Sequence, residues 1–199
     1  MDNYFPKQQI RLGMLTNLMK HIRKYIEIDD SSIEILNKYF KYTTHKKKEF
    51  LLKQGQVCRS LHFVDKGCLR MFFIDNKTTE QITQFAKENW WISDFFSFTD
   101  NKPSPYFLQT VEKSEVLSID SFSFEAMLKE LPQMERYFRI IMQSAVAASQ
   151  LRMKYMYELS KEEFYLHFCT SFPEFVQRVP QYMIVSPQRC YWQPKGIQL

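Results

Sequence analysis

Glycine is scarce in this chain: four in 199 residues, at Gly13, Gly55, Gly67 and Gly196. A glycine-rich phosphate loop is therefore absent, and so are a G-x-S-x-G nucleophile elbow and an HExxH helix. Cysteine is equally sparse. Cys58, Cys68, Cys169 and Cys190 show neither a CxxC pair nor metal-ligand spacing, so they read as reduced structural thiols. His21, His45, His62 and His167 form no His-x-His, which argues against a cupin-type metal enzyme. No cofactor site and no catalytic residue is identified, and the chain reads as a non-enzyme. No run of 18 apolar residues exists, so no membrane span is expected. No apolar signal segment follows Asp2, and the expected location is cytoplasmic. Basic residues exceed acidic ones by 27 to 22, for a net charge of +5. That balance permits an acidic partner such as nucleic acid without demonstrating one. The one tight basic run, Lys46-Lys47-Lys48, reads as a solvated turn.

What is present is apolar patterning, with 45% hydrophobic and 16% aromatic residues, enough for a packed core. Residues 1–13 are polar and unpatterned and read as an extension, with Met14 an alternative start. Leu15, Leu18, Met19, Ile22 and Ile26 repeat with helical period. Asp29-Asp30-Ser31 caps a second helix that carries Ile33, Leu36, Tyr39 and Phe40 and is expected to end near Tyr42. From Thr43 the period changes. Short apolar runs follow at 50–52, 61–65, 69–74, 82–85, 90–92, 106–111 and 116–119, separated by polar, Gly or Pro breaks. Such spacing predicts an antiparallel sandwich or jelly roll, hence an α+β chain. Gly55 and Gly67 sit where turns need positive φ. Asp120-Ser121 caps a short helix, and Pro132 opens a long one running to about Leu159.

That long helix organises the chain. Phe138, Ile141, Ala145, Ala148, Tyr155 and Leu159 recur at spacings of three, four or seven, and Arg152 interrupts their stripe. Ala145, Ala147 and Ala148 form a small-residue waist where a second backbone could approach closely. The pattern suits a rod or dimer seam, with Phe138, Ile141, Ala145, Ala148 and Tyr155 as its candidate residues; it equally suits a core helix packed on its own domain. Ser160 with Glu163 forms a capping box opening the next helix, Pro173 ends that helix, and 174–179 forms another. The expected divisions are 1–131, a pair of helices with the β-roll; 132–159, the long helix; and 160–199, a small helical module.

The phrases Val64-Asp65-Lys66-Gly67-Cys68-Leu69-Arg70, Gln84-Phe85-Ala86, Asn89-Trp90-Trp91-Ile92-Ser93-Asp94 and Arg178-Val179-Pro180-Gln181-Tyr182 carry a family likeness. With the order of modules, they resemble the Crp/Fnr regulators, in the small branch common in Bacteroidetes-type bacteria. The likeness runs from Met14 to Ser186. It implies a cyclic-nucleotide-binding roll, a homodimer paired through the long helix, and a helix-turn-helix that binds DNA.

Two departures from the family pattern bear on function. Cyclic-AMP binders of the family place Gly-Glu, and about ten residues on Arg-Ser or Arg-Thr, around the cyclic phosphate. The matching positions here are Ser93-Asp94 and Ser104-Pro105. The phosphate-clamping Arg is missing, Pro105 has no amide to donate, and only Lys102 offers a nearby cation. Weak or no cyclic-AMP binding is expected, with Ser93, Asp94, Phe95, Ser104 and Pro105 as pocket candidates and Asp94 placed for a ribose hydroxyl or another polar ligand. Trp90, Trp91, Phe95, Phe96 and Phe98 read equally well as filling of the roll. The second departure follows Ser186, where the likeness stops. The family continues into Leu-Gly, Thr-Pro-Glu and a basic recognition helix, whereas Pro187 and Pro194 here forbid one continuous helix. A frameshifted tail in place of the recognition helix is the expectation, with an unusual genuine tail as the alternative. No base-reading residue is assigned. The competing function is a dimeric ligand- or protein-binding roll without DNA affinity.

Overall fold

The computed structural model describes residues 15–184. The expectations about the N-terminal extension, about Cys190 and about the tail from Pro187 lie outside the described residues. Two helices open the chain, α1 (Thr16–Ile22) and α2 (Ser31–Tyr39). Eight strands follow: β1 (Lys41–His45), β2 (Phe50–Leu52), β3 (Ser60–Lys66), β4 (Leu69–Ile74), β5 (Glu80–Ala86), β6 (Trp91–Ile92), β7 (Phe107–Thr110) and β8 (Ser114–Asp120). A short helix, α3 (Phe95–Asp100), sits between β6 and β7. Then come α4 (Ser121–Glu130), α5 (Gln133–Glu158), α6 (Lys161–Ser171), α7 (Pro173–Arg178) and α8 (Gln181–Ile184).

The strands form two four-stranded antiparallel sheets, ordered β1-β8-β3-β6 and β2-β7-β4-β5. The expected antiparallel roll with flanking helices is the fold observed. Within the first sheet β3 is buried on both faces, whereas the edge strand β1 is largely exposed. Leu61, Phe63, Leu117 and Ile119 pack against α1, α2, α4 and α5, while Val64 and Val116 face the interior between the sheets. This two-sided burial explains why Leu61 to Val64 is a continuous buried run rather than an alternating one. Lys46, Lys47 and Lys48 are an exposed turn, as the sequence predicts.

Three local expectations need correction. The second helix stops at Tyr39, because Phe40 is already extended, and Tyr42 belongs to β1. The first helix stops at Ile22, although Ile26 stays buried in the turns beyond it. The helix α3 has no counterpart in the sequence reading, since six residues give too little length for a period to show. The caps of α4 and α6 form as read, whereas Asp30, the N-cap residue of α2, makes no side-chain cap hydrogen bond and pairs with Arg23 instead. Asp120 accepts the Ser123 amide at 2.9 Å, and Ser160 and Glu163 close a reciprocal capping box. Pro132 is the N-cap of α5, whose 26 residues span about 39 Å at 1.5 Å each.

Candidate functional site

The loop between β6 and β7 builds the candidate pocket wall. Asp94 is the N-cap of α3, and its Oδ1 accepts the Ser97 amide at 3.3 Å. Asp94 is 3% exposed, and its Oδ2 is buried without a hydrogen-bond partner among the described residues. A buried acceptor in that condition costs about 1–3 kcal/mol unless a donor arrives. Ser93 is differently placed: its hydroxyl donates to the Ser60 carbonyl at 3.0 Å and lies 3.2 Å from Cys58 Sγ. Ser97 accepts the Cys58 amide at 2.8 Å and donates to the Lys102 carbonyl. Ser104 accepts the Tyr106 amide at 3.0 Å, and its own amide donates to the Gln56 carbonyl at 2.8 Å. The Ser93 hydroxyl and the Ser104 backbone therefore staple the loop to residues 55–60. Pro105 is exposed. Lys102 pairs with Asp100 at 3.0 Å and lies over the Phe96 ring, so its charge is committed at the surface.

A groove of about 500 Å³ runs between this loop and the long helix. Gln84, Trp91, Phe95 and Thr99 line one side, and Met142, Ala145, Val146, Ser149, Gln150 and Met153 of α5 line the other. The lining contains no charged residue. Phe95 thus reaches the groove, while Ser93, Asp94 and Ser104 lie behind its wall. Arg152 enters the same neighbourhood from α5. The half-buried Tyr106 phenol is held above its ordinary pKa first by desolvation and then by the Asp94 charge, while the Arg152 charge opposes both. The sequence signal for Arg152 was the break it makes in the apolar stripe.

Trp91 links the groove to the core. Its indole N–H donates to the Tyr137 hydroxyl at 2.9 Å, and that hydroxyl pairs with His21 Nδ1 at 2.7 Å. One polar chain therefore ties β6, α5 and α1 inside an aromatic cluster. The stripe residues of α5 face the same way. Phe138 packs its ring on Trp91 and Phe124, Ile141 and Ala148 are fully buried, Ala145 lines the groove, and Tyr155 meets the His167 ring at 4.6 Å. All five lie against their own chain. The solvent side of α5 presents Val146, Met153 and Tyr157.

A second cavity, about 460 Å³, is lined by Leu51, Cys58, Arg59, Ser60 and His62 among others. Burial pushes the His62 imidazole down to about 4, and Nδ1 pairs with the Ser118 hydroxyl at 2.8 Å. Cys58 and Cys68 are buried free thiols, and Cys169 is a half-buried one. Among the described residues no group of His, Cys, Asp and Glu could hold a metal, and no helix is long and apolar enough to cross a membrane.

With this geometry in place, comparison with known proteins is direct. Residues 42–130 match the family described as the cyclic nucleotide-binding domain. The transcriptional activator protein Anr of Pseudomonas protegens is 27% identical over 118 residues, covering 59% of this chain and 48% of the relative. The chain thus spans about half the length of the curated relatives it matches. Among solved structures, the Thermus thermophilus catabolite activator protein superposes with a TM-score of 0.57 at 15% identity, over 78% of this chain and 71% of that one. The c-di-GMP responsive regulator CLP of Xanthomonas campestris gives 0.61 at 12% identity, over 73% and 74%. At those identities the structural likeness concerns the fold alone.

Proposed function

We infer that this chain is a Crp/Fnr-like transcription regulator; the match of residues 42–130 to the cyclic nucleotide-binding domain and the 27% identity to the transcriptional activator Anr support the reading. In this reading the β-roll senses a small molecule. The helix α5 relays that event within a homodimer to a C-terminal module that binds DNA. The divisions 1–131, 132–159 and 160–199 are then sensor, relay and output. The observation that carries the reading is the shared groove. A molecule held there touches Trp91, Phe95 and Thr99 on the sensor and Met142, Ala145 and Ser149 on α5 at once. Occupancy would therefore favour one placement of α5 over another, which is what a population shift requires.

The groove also bears on effector class. Its lining is mostly apolar and carries no charge, which suits an uncharged, largely apolar molecule better than a phosphate. Cyclic AMP fits poorly: the Ser104 hydroxyl is already engaged, Pro105 has no N–H, and Lys102 is paired. Asp94 Oδ2 is the acceptor for a ligand hydroxyl if the loop opens toward it. Calorimetric titration of the full chain with cyclic AMP checks this. A Kd weaker than about 1 mM is expected, and micromolar binding would overturn the assignment. A seam between two copies would use the solvent edge of α5 around Val146 and Met153, next to Ala145.

A second reading is a dimeric ligand- or protein-binding module without DNA affinity. Titration against DNA separates the two readings.

A further inference from the structure

The helices α6 and α7 do not stand off the sensor. Phe164, Phe168, Phe172 and Phe175 are each nearly fully buried, in one core with Phe85 and Trp90 of the roll. Ring centroids lie 5.7 Å apart for Phe85–Phe175, 5.8 Å for Trp90–Phe175 and 6.1 Å for Trp90–Phe172. Aromatic packing supplies attraction but little register. Register comes from ion pairs at the rim of this contact.

Arg178, in the last turn of α7, donates from Nη1 to Glu88 Oε2 and from Nη2 to Glu88 Oε1, both at 2.8 Å. Its Nη2 also donates to Glu112. Glu88 lies in the β5–β6 turn and Glu112 in the β7–β8 turn, and the Gly67 amide of the β3–β4 turn donates to Glu88 Oε1 at 2.8 Å. One guanidinium thus ties α7 to two turns at one end of the roll, and through Glu88 to a third. A reversed pair, Lys87 of the roll with Glu174 of α7, runs beside it. The anchor is stiff. Gly67 has φ +104°, and a Cβ there would come within 2.3 Å of Ser114 Oγ.

We propose that Arg178 closes an ionic latch that pins the α6–α7 segment to the turn end of the β-roll, and that opening this latch is the step by which the segment leaves the roll. The fork geometry of a guanidinium on a carboxylate makes the closed state specific. The Arg178 side chain is 25% exposed and those of Glu88 and Glu112 about a third, so water and salt reach the latch and its ion pairs can open before the aromatic contact behind them separates. Once Arg178 leaves, Glu88 and Glu112 lose the cation they share and Glu88 keeps only the Gly67 amide, which favours the closed state. The proposal rests on contacts within one chain and does not depend on the DNA-binding reading.

Hydrogen exchange of the full chain, read by mass spectrometry, tests it. Arg178→Ala is expected to speed exchange across 161–178 about tenfold while β3, β4 and β8 amides keep their rates. Wild type in 1 M salt is expected to move in the same direction, and Arg178→Lys to fall between. Unchanged exchange over 161–178 would overturn the proposal, as would an equal rise throughout the strands, which marks general destabilisation. Should Arg178→Ala fail to fold, Glu112→Gln removes one arm and leaves the Glu88 fork. A rise of about threefold confined to 161–178 is then expected, and no rise overturns the latch.

Discussion

His62 is a neutral imidazole in the wall of the roll, and its titration is a stability property. Burial lowers its pKa from 6.5 to about 4, with the His45 charge adding to the effect. The unfolded chain takes up a proton near the ordinary value, and the folded chain does not until much lower. Stability from this residue is therefore complete above about pH 6.5 and is lost as pH falls toward 4. Between pH 7 and pH 5 the loss is expected to be about 2 kcal/mol, seen as a falling urea midpoint. His62→Gln should flatten that slope; an unchanged slope would show that other groups cause it. Gly67 makes the other residue-scale prediction. Gly67→Ala is expected to cost ~1–3 kcal/mol or more, because its φ is positive and Ser114 fills the space of a new Cβ. An unshifted melting temperature would contradict this. The sequence pointed to Gly67 correctly through its turn position. It also named Ser93 and Ser104 as pocket candidates; the Ser93 hydroxyl donates to the Ser60 carbonyl, and the Ser104 hydroxyl accepts the Tyr106 amide. Residue type at a spacing does not reveal which partner a hydroxyl takes.

At the scale of elements, legibility follows length and period. The 26 residues of α5 and the capping box of α6 show in the sequence because helical period and cap chemistry are local. The six residues of α3 and the five of β1 do not, because tertiary pairing decides them: β1 exists as the partner of β8. The α5 stripe reads as seam or core. Phe138, at its start, packs on Trp91 and Phe124 of the same chain. That face carries a further prediction. Tyr137→Phe removes the acceptor for the Trp91 indole N–H and the partner of His21, leaving buried polar groups unmatched. A loss of about 1–3 kcal/mol in unfolding free energy is expected. A neutral substitution, read by chemical denaturation, would mean that the hydroxyl does not join α1, β6 and α5.

For the whole molecule, two cores share one sheet. One joins the roll to α1, α2, α4 and α5; the other joins the roll interior to α6 and α7. The sequence revealed the order of parts but not this second core, because Phe164 to Phe175 reads equally as the interior of a separate module. The groove between α3 and α5 was likewise invisible, since its two walls are some fifty residues apart in the chain. Both features place α5 and the C-terminal helices in contact with the sensor, which is where the reading as a regulator draws its support. The measurement that bears most directly on that reading is fluorescence anisotropy of the full chain with palindromic and random duplexes at two salt concentrations. The account predicts binding that prefers a palindrome and weakens steeply as salt rises, since phosphate contacts release counterions. A stable dimer with no affinity for either duplex at low salt would contradict it.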